Sequence, residues 1–165
     1  MIYVDTSVAL AHLLAEDRCP PASLWEHPLV SSRLTTYEIW TRINARGLHR
    51  SHGELVRALT LRLAFVELSP LILARALEPF PVHVRTLDAI HLASMLFLRD
   101  AGQTVQLASY DDRLLTAARK LGIVLATGIA LHFVLAPDAL LSMYTSDAEV
   151  LRLGRAAPVA ARPQR

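Results

Sequence analysis

Short apolar runs alternate along the chain with longer segments in which apolar residues recur at helical spacing. The short runs predict these strands: Ile2–Val4, Leu29–Ser31, Phe65–Leu68, Val105–Ala108 and Ile123–Leu125. The longer segments predict these helices: Ser7–Ala15, Thr35–Arg46, Ser51–Leu63, Leu71–Leu77, Thr86–Arg99 and Asp112–Leu121. Strands separated by helices imply crossover connections between parallel strands. We therefore expect an α/β fold, with a central parallel sheet and helices on both of its faces.

The pattern weakens beyond the last predicted strand. We expect one domain over residues 1–128 and a C-terminal extension over residues 129–165. Within the extension, Ile129–Val134 is apolar and Pro137–Ser142 has the composition of a short helix. Residues 152–165 contain four arginines and no acidic residue. A passive, mobile end explains this segment better than a dedicated RNA contact, because chain termini are commonly disordered.

Composition narrows the class of protein. The formal net charge is +2, and residues 1–128 hold 13 basic and 12 acidic side chains, so the broad basic surface of a typical nucleic-acid binder is absent from the sequence. Cys19 is the single cysteine, which excludes a disulfide framework and favours the reducing cytoplasm. Asp5 interrupts the apolar N-terminus, so we expect no secretory signal. Three charged residues interrupt the apolar segment Leu59–Leu77, so we expect no membrane span.

Four acidic residues stand at the ends of predicted elements or on strongly predicted helices. Asp5 and Asp111 follow strands, whereas Glu38 and Asp88 lie near the starts of helices. Each has a structural explanation when it is taken alone. Asp5 and Asp111 can cap the helices that follow them. Asp88 favours the dipole of its helix, and Glu38 completes a capping box with Thr35.

Taken together, the four acids indicate one negative site. Parallel strands end at a common edge of the sheet, and ligands bind at that edge in such folds. Two ionised carboxylates about 6 Å apart repel by roughly 3 kcal/mol at an effective dielectric of about 20. A helix dipole offsets only about 0.3–1 kcal/mol of this repulsion. Such a cluster takes up protons or binds a cation, and oxygen ligands without cysteine suit Mg²⁺ or Mn²⁺.

Four blocks of the sequence carry a family resemblance: VDTSVAL, SSRLTTYEIW, RTLDAIHLASML and ASYDDRLLTAARKLGI. Together they resemble the PIN domain and, more closely, the VapC toxins of type II toxin–antitoxin pairs. The resemblance spans residues 1–128 and implies a three-layer α/β/α sandwich. It maps four residues onto the family's catalytic, metal-binding acids: Asp5, Glu38, Asp88 and Asp111. Thr6 and Ser109 match hydroxyl positions that support those acids.

The resemblance also implies a reaction and its partners. The protein would be an endoribonuclease that uses Mg²⁺ or Mn²⁺ to hydrolyse RNA phosphodiester bonds, leaving a 5′-phosphate and a 3′-hydroxyl. Glu38 would bind a metal ion or orient the attacking water. The protein would pair with a cognate antitoxin and form a homodimer, for which the apolar segment Ala89–Leu98 offers an interface.

Residues beside the acids have two interpretations each. We assign Asp112 to the surface or to a helix cap. His91 is best explained as a packed, hydrogen-bonded histidine, with a role as a partner of the acids or as a base as the alternative. Arg85 and Arg113 flank the acidic blocks and can hold RNA phosphates or simply be solvated. Trp40 shares helical spacing with apolar residues, which favours a core position over a base-stacking one.

Two rival functions depend on specific residues. A phosphatase of the haloacid-dehalogenase type also has an aspartate after its first strand, but it needs a second aspartate two residues later, where this chain has Ser7. A catalytically inactive binding scaffold of the same fold would be expected to lack some of the acids, and all four are present.

Overall fold

The computed structural model describes residues 1–16 and 18–126. Its strands are β1 (Ile2–Val4), β2 (Leu29–Ser32), β3 (Ala64–Val66), β4 (Gln106–Ala108) and β5 (Val124–Leu125). Its α-helices are α1 (Thr6–Leu13), α2 (Arg33–Ala45), α3 (His49–Thr60), α4 (Pro70–Leu77), α5 (Thr86–Asp100) and α6 (Asp112–Lys120). The expectations for residues 129–165 lie outside the described residues.

The strands form one parallel sheet in the order β3-β2-β1-β4-β5. The chain first adds β2 and β3 on one side of β1, then crosses over and adds β4 and β5 on the other side. The direction of winding therefore reverses between β1 and β4. In open α/β sheets, ligands bind beyond the carboxyl ends of the strands at such a reversal.

The helices form two layers. Helices α1, α2 and α3 pack against one another, and α5 packs against both α4 and α6. Because crossovers between parallel strands are right-handed, connections that run in opposite directions along the sheet place their helices on opposite faces. The predicted three-layer α/β/α sandwich is confirmed. Strand β1 is buried along its whole length, since it is central and covered on both faces.

Observed boundaries differ from the predicted ones by a few residues. Helix α1 ends at Leu13, before the predicted Ala15, and the 3₁₀ turn Ala22–Glu26 has no counterpart in the sequence analysis. Helix α2 ends one residue before the predicted Arg46, which is its C-cap, and Gly47 follows with a φ of +68°, which glycine tolerates best.

The predicted capping box of α2 is wrong. Ser32, not Thr35, is the N-cap, and its hydroxyl accepts a hydrogen bond from the Leu34 N–H at 3.2 Å. Thr35 lies inside the helix, where its hydroxyl bonds to Ser31 at 2.6 Å. Glu38 therefore lies beyond the capping position, and its side chain is available for contacts with other elements.

Two further expectations concern apolar segments. Among the described residues, no helix combines the length and the apolarity that crossing a bilayer requires. Trp40 is half-buried rather than fully in the core, where it packs beside Gly53 and beneath the Arg57 guanidinium. Trp40 thus lies at the contact between α2 and α3, and the predicted core position is only partly reached.

Candidate functional site

Asp5 ends β1 and begins α1. Its backbone N–H donates to the Ala108 carbonyl at 2.9 Å, which ties it to β4. The side chain is buried, and its Oδ2 accepts hydrogen bonds from the Ser7 N–H at 3.2 Å, the Ser7 hydroxyl at 2.5 Å and the Ser109 hydroxyl at 2.9 Å. These donors compensate the burial of a carboxylate. Asp5 is thus a helix cap, as predicted, and its Oδ1 lies outside this set of bonds.

Asp111 stands beside Asp5, at the end of the neighbouring strand. The Ser109 hydroxyl that donates to Asp5 also accepts from the Asp111 N–H at 2.9 Å, so one side chain couples the two strand ends. Asp111 Oδ1 caps α6 by accepting from the Arg113 and Leu114 N–H groups at 2.8 and 3.1 Å. The cap interpretation of Asp112 is wrong, because Asp112 is the first helical residue, and its surface position is confirmed.

Glu38 reaches the same edge from α2. Its Oε2 accepts hydrogen bonds from the Thr6 hydroxyl and from His91 Nε2, the latter at 2.9 Å. Burial on its own would raise the pKa of Glu38, but the hydrogen bond and charge of His91, together with Thr6 and Arg42, lower it below its ordinary value. Glu38 is thus held as an anion by donors from α1 and α5.

Asp88 lies in the first turn of α5, where the helix dipole favours its charge as predicted. Its Oδ2 is buried and has no hydrogen-bond partner among the described residues. Burial raises the pKa of this carboxyl group, and the negative charges of Asp111 and Asp5 raise it further. Asp88 therefore interacts electrostatically with both strand-end aspartates, and the backbone hydrogen bond and charge of Arg85 offset only part of the rise in its pKa.

The donor set fits a hard divalent cation that keeps part of its water shell. Among residues 1–16 and 18–126, no three His, Cys, Asp or Glu side chains already surround a common metal position. Mg²⁺ does not require such a cage, because it is commonly bound through one or two carboxylates and several waters. The hydrogen bonds described above engage one oxygen each of Asp5, Glu38 and Asp111, which leaves the other oxygen for a ligand. The unpartnered Asp88 Oδ2 adds a fourth oxygen.

His91 is a packed histidine with two hydrogen-bond partners, and its Nε2 also lies 3.9 Å from Asp5 Oδ1. Its side chain is 2% exposed, its Nδ1 lies 2.8 Å from the Tyr3 hydroxyl, and its Nε2 contacts Glu38. The predicted packed and hydrogen-bonded state is confirmed, and the partner is one of the acids. Burial alone would lower the pKa of His91, but the hydrogen bond to Glu38 and the charges of Asp5, Glu38 and Asp88 raise it.

Sequence reasoning missed Ser7 and Tyr3. The Ser7 hydroxyl donates to Asp5 and accepts from the Tyr110 N–H at 2.9 Å, so it joins the same network as Ser109. Its position two residues after a helix-capping aspartate was a usable signal. Tyr3 has no such signal, because an aromatic residue in a central strand indicates only packing.

The two candidate phosphate-binding arginines lie near the acids. Arg85 precedes α5, and its Nη1 lies 4.0 Å from Asp111 Oδ2. Arg113 is exposed in the first turn of α6. The Arg85 guanidinium thus lies beside the cluster, whereas Arg113 is placed there by its backbone N–H, which donates to Asp111 Oδ1. Both residues are exposed, so both stay candidates for holding a phosphate.

Comparisons with known proteins agree with this architecture. A model of the PIN domain matches residues 2–120. Ribonuclease VapC46 of Mycobacterium tuberculosis is 38% identical over 128 residues, which cover 74% of this chain and 93% of the relative. Ribonuclease VapC47 of the same organism is 29% identical over 134 residues, which cover 77% of this chain and 96% of the relative.

A solved structure shows the same fold. The crystal structure of M. tuberculosis VapC20, a sarcin-ricin loop cleaving toxin, matches with a TM-score of 0.56 and 23% identity, over 71% of this chain and 95% of that one. The chain belongs to the PIN-domain family and, within it, to the VapC-type ribonuclease toxins.

Proposed function

We propose that this protein is a divalent-metal-dependent endoribonuclease, the toxin of a toxin–antitoxin pair, and that its metal site is formed by four acids: Asp5, Glu38, Asp88 and Asp111. Membership of the family supports the reaction, which is hydrolysis of RNA phosphodiester bonds. The environment of Asp88 supports the site most directly. Its Oδ2 is buried without a hydrogen-bond donor among the described residues, and the charges of Asp111 and Asp5 raise the pKa of its carboxyl group. We assign this nuclease to residues 1–128.

The side chains of the site have distinct roles in this proposal. Asp5 and Asp111 present oxygens from rigid strand ends, because Ser7, Ser109 and the caps of α1 and α6 fix their carboxylates. Glu38 stays ionised at neutral pH, so it can bind the cation or orient a water molecule. A bound divalent ion supplies a water of lowered pKa and neutralises charge on the phosphate.

Binding of RNA beside four carboxylates would also require the positive charge of the cation. An RNA phosphate is repelled by four carboxylates in the absence of a counter-charge. Arg85 Nη1 lies 4.0 Å from Asp111 Oδ2 and adds positive charge beside the site, and we propose the exposed Arg113, which follows Asp111 by two residues, as a second phosphate contact. We propose Mg²⁺ or Mn²⁺ as the ion, since the donors are all oxygens and both metals favour such donors.

The partners follow from the family and from the surface. VapC toxins pair with antitoxins, and we propose that a cognate antitoxin covers the acidic edge of this protein. We also propose a homodimer. Most of the expected interface Ala89–Leu98 is buried in the core, which leaves Phe97 of α5 and the exposed Leu71 of α4, which line one groove, as the apolar surface for it.

Neither rival function gains support. Ser7 has a hydroxyl where a dehalogenase-type phosphatase needs an acid, and the four acids that an inactive scaffold would be expected to lack in part are all present.

Neighbouring aspartates provide a matched test of the site. Asp111→Asn keeps a good helix cap while it removes a proposed ligand charge, and Asp112→Asn removes an exposed charge one residue away. We expect wild type and Asp112→Asn to cleave cellular RNA with Mg²⁺ or Mn²⁺, and Asp111→Asn to lose more than about 100-fold, the upper range for groups that only support a metal ligand. Gel analysis of cleaved RNA at equal protein concentration measures this difference.

Chelation completes the test. EDTA should stop cleavage, and added Mg²⁺ or Mn²⁺ should restore it. Wild-type cleavage that persists after rigorous chelation, or Asp111→Asn cleaving as fast as Asp112→Asn, would refute the proposed metal site.

A further inference from the structure

A buried hydrogen-bonded chain runs from β2 through Tyr3 and His91 to Glu38. Tyr3 is fully buried in β1, and its hydroxyl accepts the Ser32 N–H at 3.1 Å. The same hydroxyl lies 2.8 Å from His91 Nδ1, and the two rings meet edge-on with their centroids 5.9 Å apart. His91 Nε2 then lies 2.9 Å from Glu38 Oε2. The chain of contacts connects α5 to α2, which belong to different helical layers.

His91 Nε2 is the donor to Glu38 in either protonation state of the imidazole, because an ionised carboxylate can only accept. When His91 is neutral, Nδ1 accepts from the Tyr3 hydroxyl and the imidazole proton lies on Nε2. When His91 is protonated, Nδ1 donates to the Tyr3 oxygen, which accepts it beside the Ser32 N–H. The contact with Glu38 is the same in both cases.

Both donors to Glu38 bind the same oxygen. The Thr6 hydroxyl and His91 Nε2 each contact Oε2, and no donor contacts Oε1 among the described residues. A glutamate side chain has several rotatable bonds, and it would otherwise sample several rotamers at the edge of the site. Two donors on one oxygen fix the carboxylate while they leave its second oxygen for a ligand.

The geometry points to His91, held by Tyr3, as a positioning residue that fixes the Glu38 carboxylate for the metal ion and thereby increases the affinity of the site for that ion. This inference rests on the function proposed above. Packing alone does not explain the histidine, because buried neighbours in α5 such as Leu92 and Met95 fill the core with apolar side chains. Partners that orient a metal ligand typically contribute about 10–100-fold in affinity or activity.

The test is a double-mutant cycle on metal binding. The measured quantity is the midpoint of a Mn²⁺ titration of the folded, full-length protein, followed by isothermal calorimetry. His91→Leu removes the donor and keeps apolar bulk, and it should raise this midpoint about 10–100-fold. If His91 acts through Glu38, adding His91→Leu to Glu38→Gln should raise the midpoint no further than Glu38→Gln alone.

Conservative variants separate positioning from a general loss of structure. His91→Gln places an amide N–H near the position of Nε2, so it should restore most of the Mn²⁺ affinity. Tyr3→Phe should shift the midpoint in the same direction as His91→Leu, and it replaces His91→Leu in the cycle if that variant does not fold. Thr35→Val, which removes a buried hydrogen bond from α2 without touching Glu38, should leave the midpoint unchanged.

These metal-binding measurements test the positioning role of His91 without any assay of RNA cleavage. Changes in the logarithm of the midpoint that add up in the double variant would overturn the positioning role. An unchanged midpoint in both His91→Leu and Tyr3→Phe would overturn it too, and so would a wild type that does not bind Mn²⁺. A wild type that binds Mn²⁺ through this cycle but cleaves no RNA would instead overturn the proposed nuclease function and leave the positioning role standing.

Discussion

Asp5 and Asp88 belong to the same acidic edge, yet the chain compensates their charges very differently. Oδ2 of Asp5 accepts three hydrogen bonds from Ser7 and Ser109, whereas Oδ2 of Asp88 is buried without a donor among the described residues. The pKa of Asp88 is raised by burial and then by Asp111 and Asp5. In the proposed site the strand-end half is therefore formed in advance, and the proposed cation would complete the half that α5 contributes.

The unpartnered oxygen of Asp88 costs stability in the metal-free fold and favours binding of the proposed ion. A buried polar atom without a partner destabilises a fold by about 1–3 kcal/mol. Such a defect is expected at functional sites, where stability is traded for binding. A divalent ion that binds only the folded state stabilises it by about 2.7 kcal/mol at one hundred times its dissociation constant. The ion can thus offset the penalty at Asp88.

The largest effect is expected from a substitution of Asp5, in the strand-end half of the proposed site. Asp5→Asn removes the charge that Ser7 and Ser109 hold between the two central strands. We expect RNA cleavage to fall more than about 100-fold, beyond the usual loss for a supporting group. Thermal unfolding should stay cooperative, since asparagine also caps helices well. RNA cleavage rates and calorimetry on the same preparation measure the loss of activity and the cooperativity of unfolding. Cleavage by Asp5→Asn at the wild-type rate would show that the charge of Asp5 is not needed.

An intermediate effect concerns the hydroxyl that couples Asp5 to Asp111. Ser109→Ala removes the donor to Asp5 and the acceptor for the Asp111 N–H. We expect RNA cleavage to fall about 10-fold, within the range for groups that orient metal ligands. Ser109→Thr keeps the hydroxyl and should cleave faster than Ser109→Ala. Steady-state rates at saturating Mn²⁺ measure the difference, and equal rates for the two variants would show that the hydroxyl does not matter.

The smallest expected effect is a change in the unfolding temperature of the metal-free protein on substitution of Asp88. Whether that temperature rises or falls is the informative result. Asp88→Asn removes a charge that Asp5 and Asp111 repel, so the metal-free protein should unfold at a higher temperature. We expect a rise of about 2–4 °C, the shift that about 1 kcal/mol gives for a chain of this size. Asp100→Asn removes an exposed charge from the same helix and serves as the control. A lower unfolding temperature for Asp88→Asn in EDTA would mean that Asp88 is already compensated.

The fold was largely predictable because the periodicity of apolar residues reports burial. Each strand and α-helix of the described residues was predicted with boundaries within a few positions. Boundaries shifted where a cap decided them. Ser32 and Thr35 can both cap a helix, and nothing in the local sequence shows that Ser32 takes this role while Thr35 bonds to Ser31. The same ambiguity left both Asp111 and Asp112 as possible caps of the last helix, and Asp111 takes that role.

By itself, the sequence determined the residue types of the site, because apolar strands followed by aspartates must bring those carboxylates to one edge of a parallel sheet. It also determined the family through four blocks of residues. Only the tertiary structure decided which oxygen of each carboxylate is held and which stays open. That choice depends on donors from distant parts of the chain, such as Ser109 for Asp5 and His91 for Glu38, and hydrogen-bond direction over such separations leaves no periodic signal in a sequence.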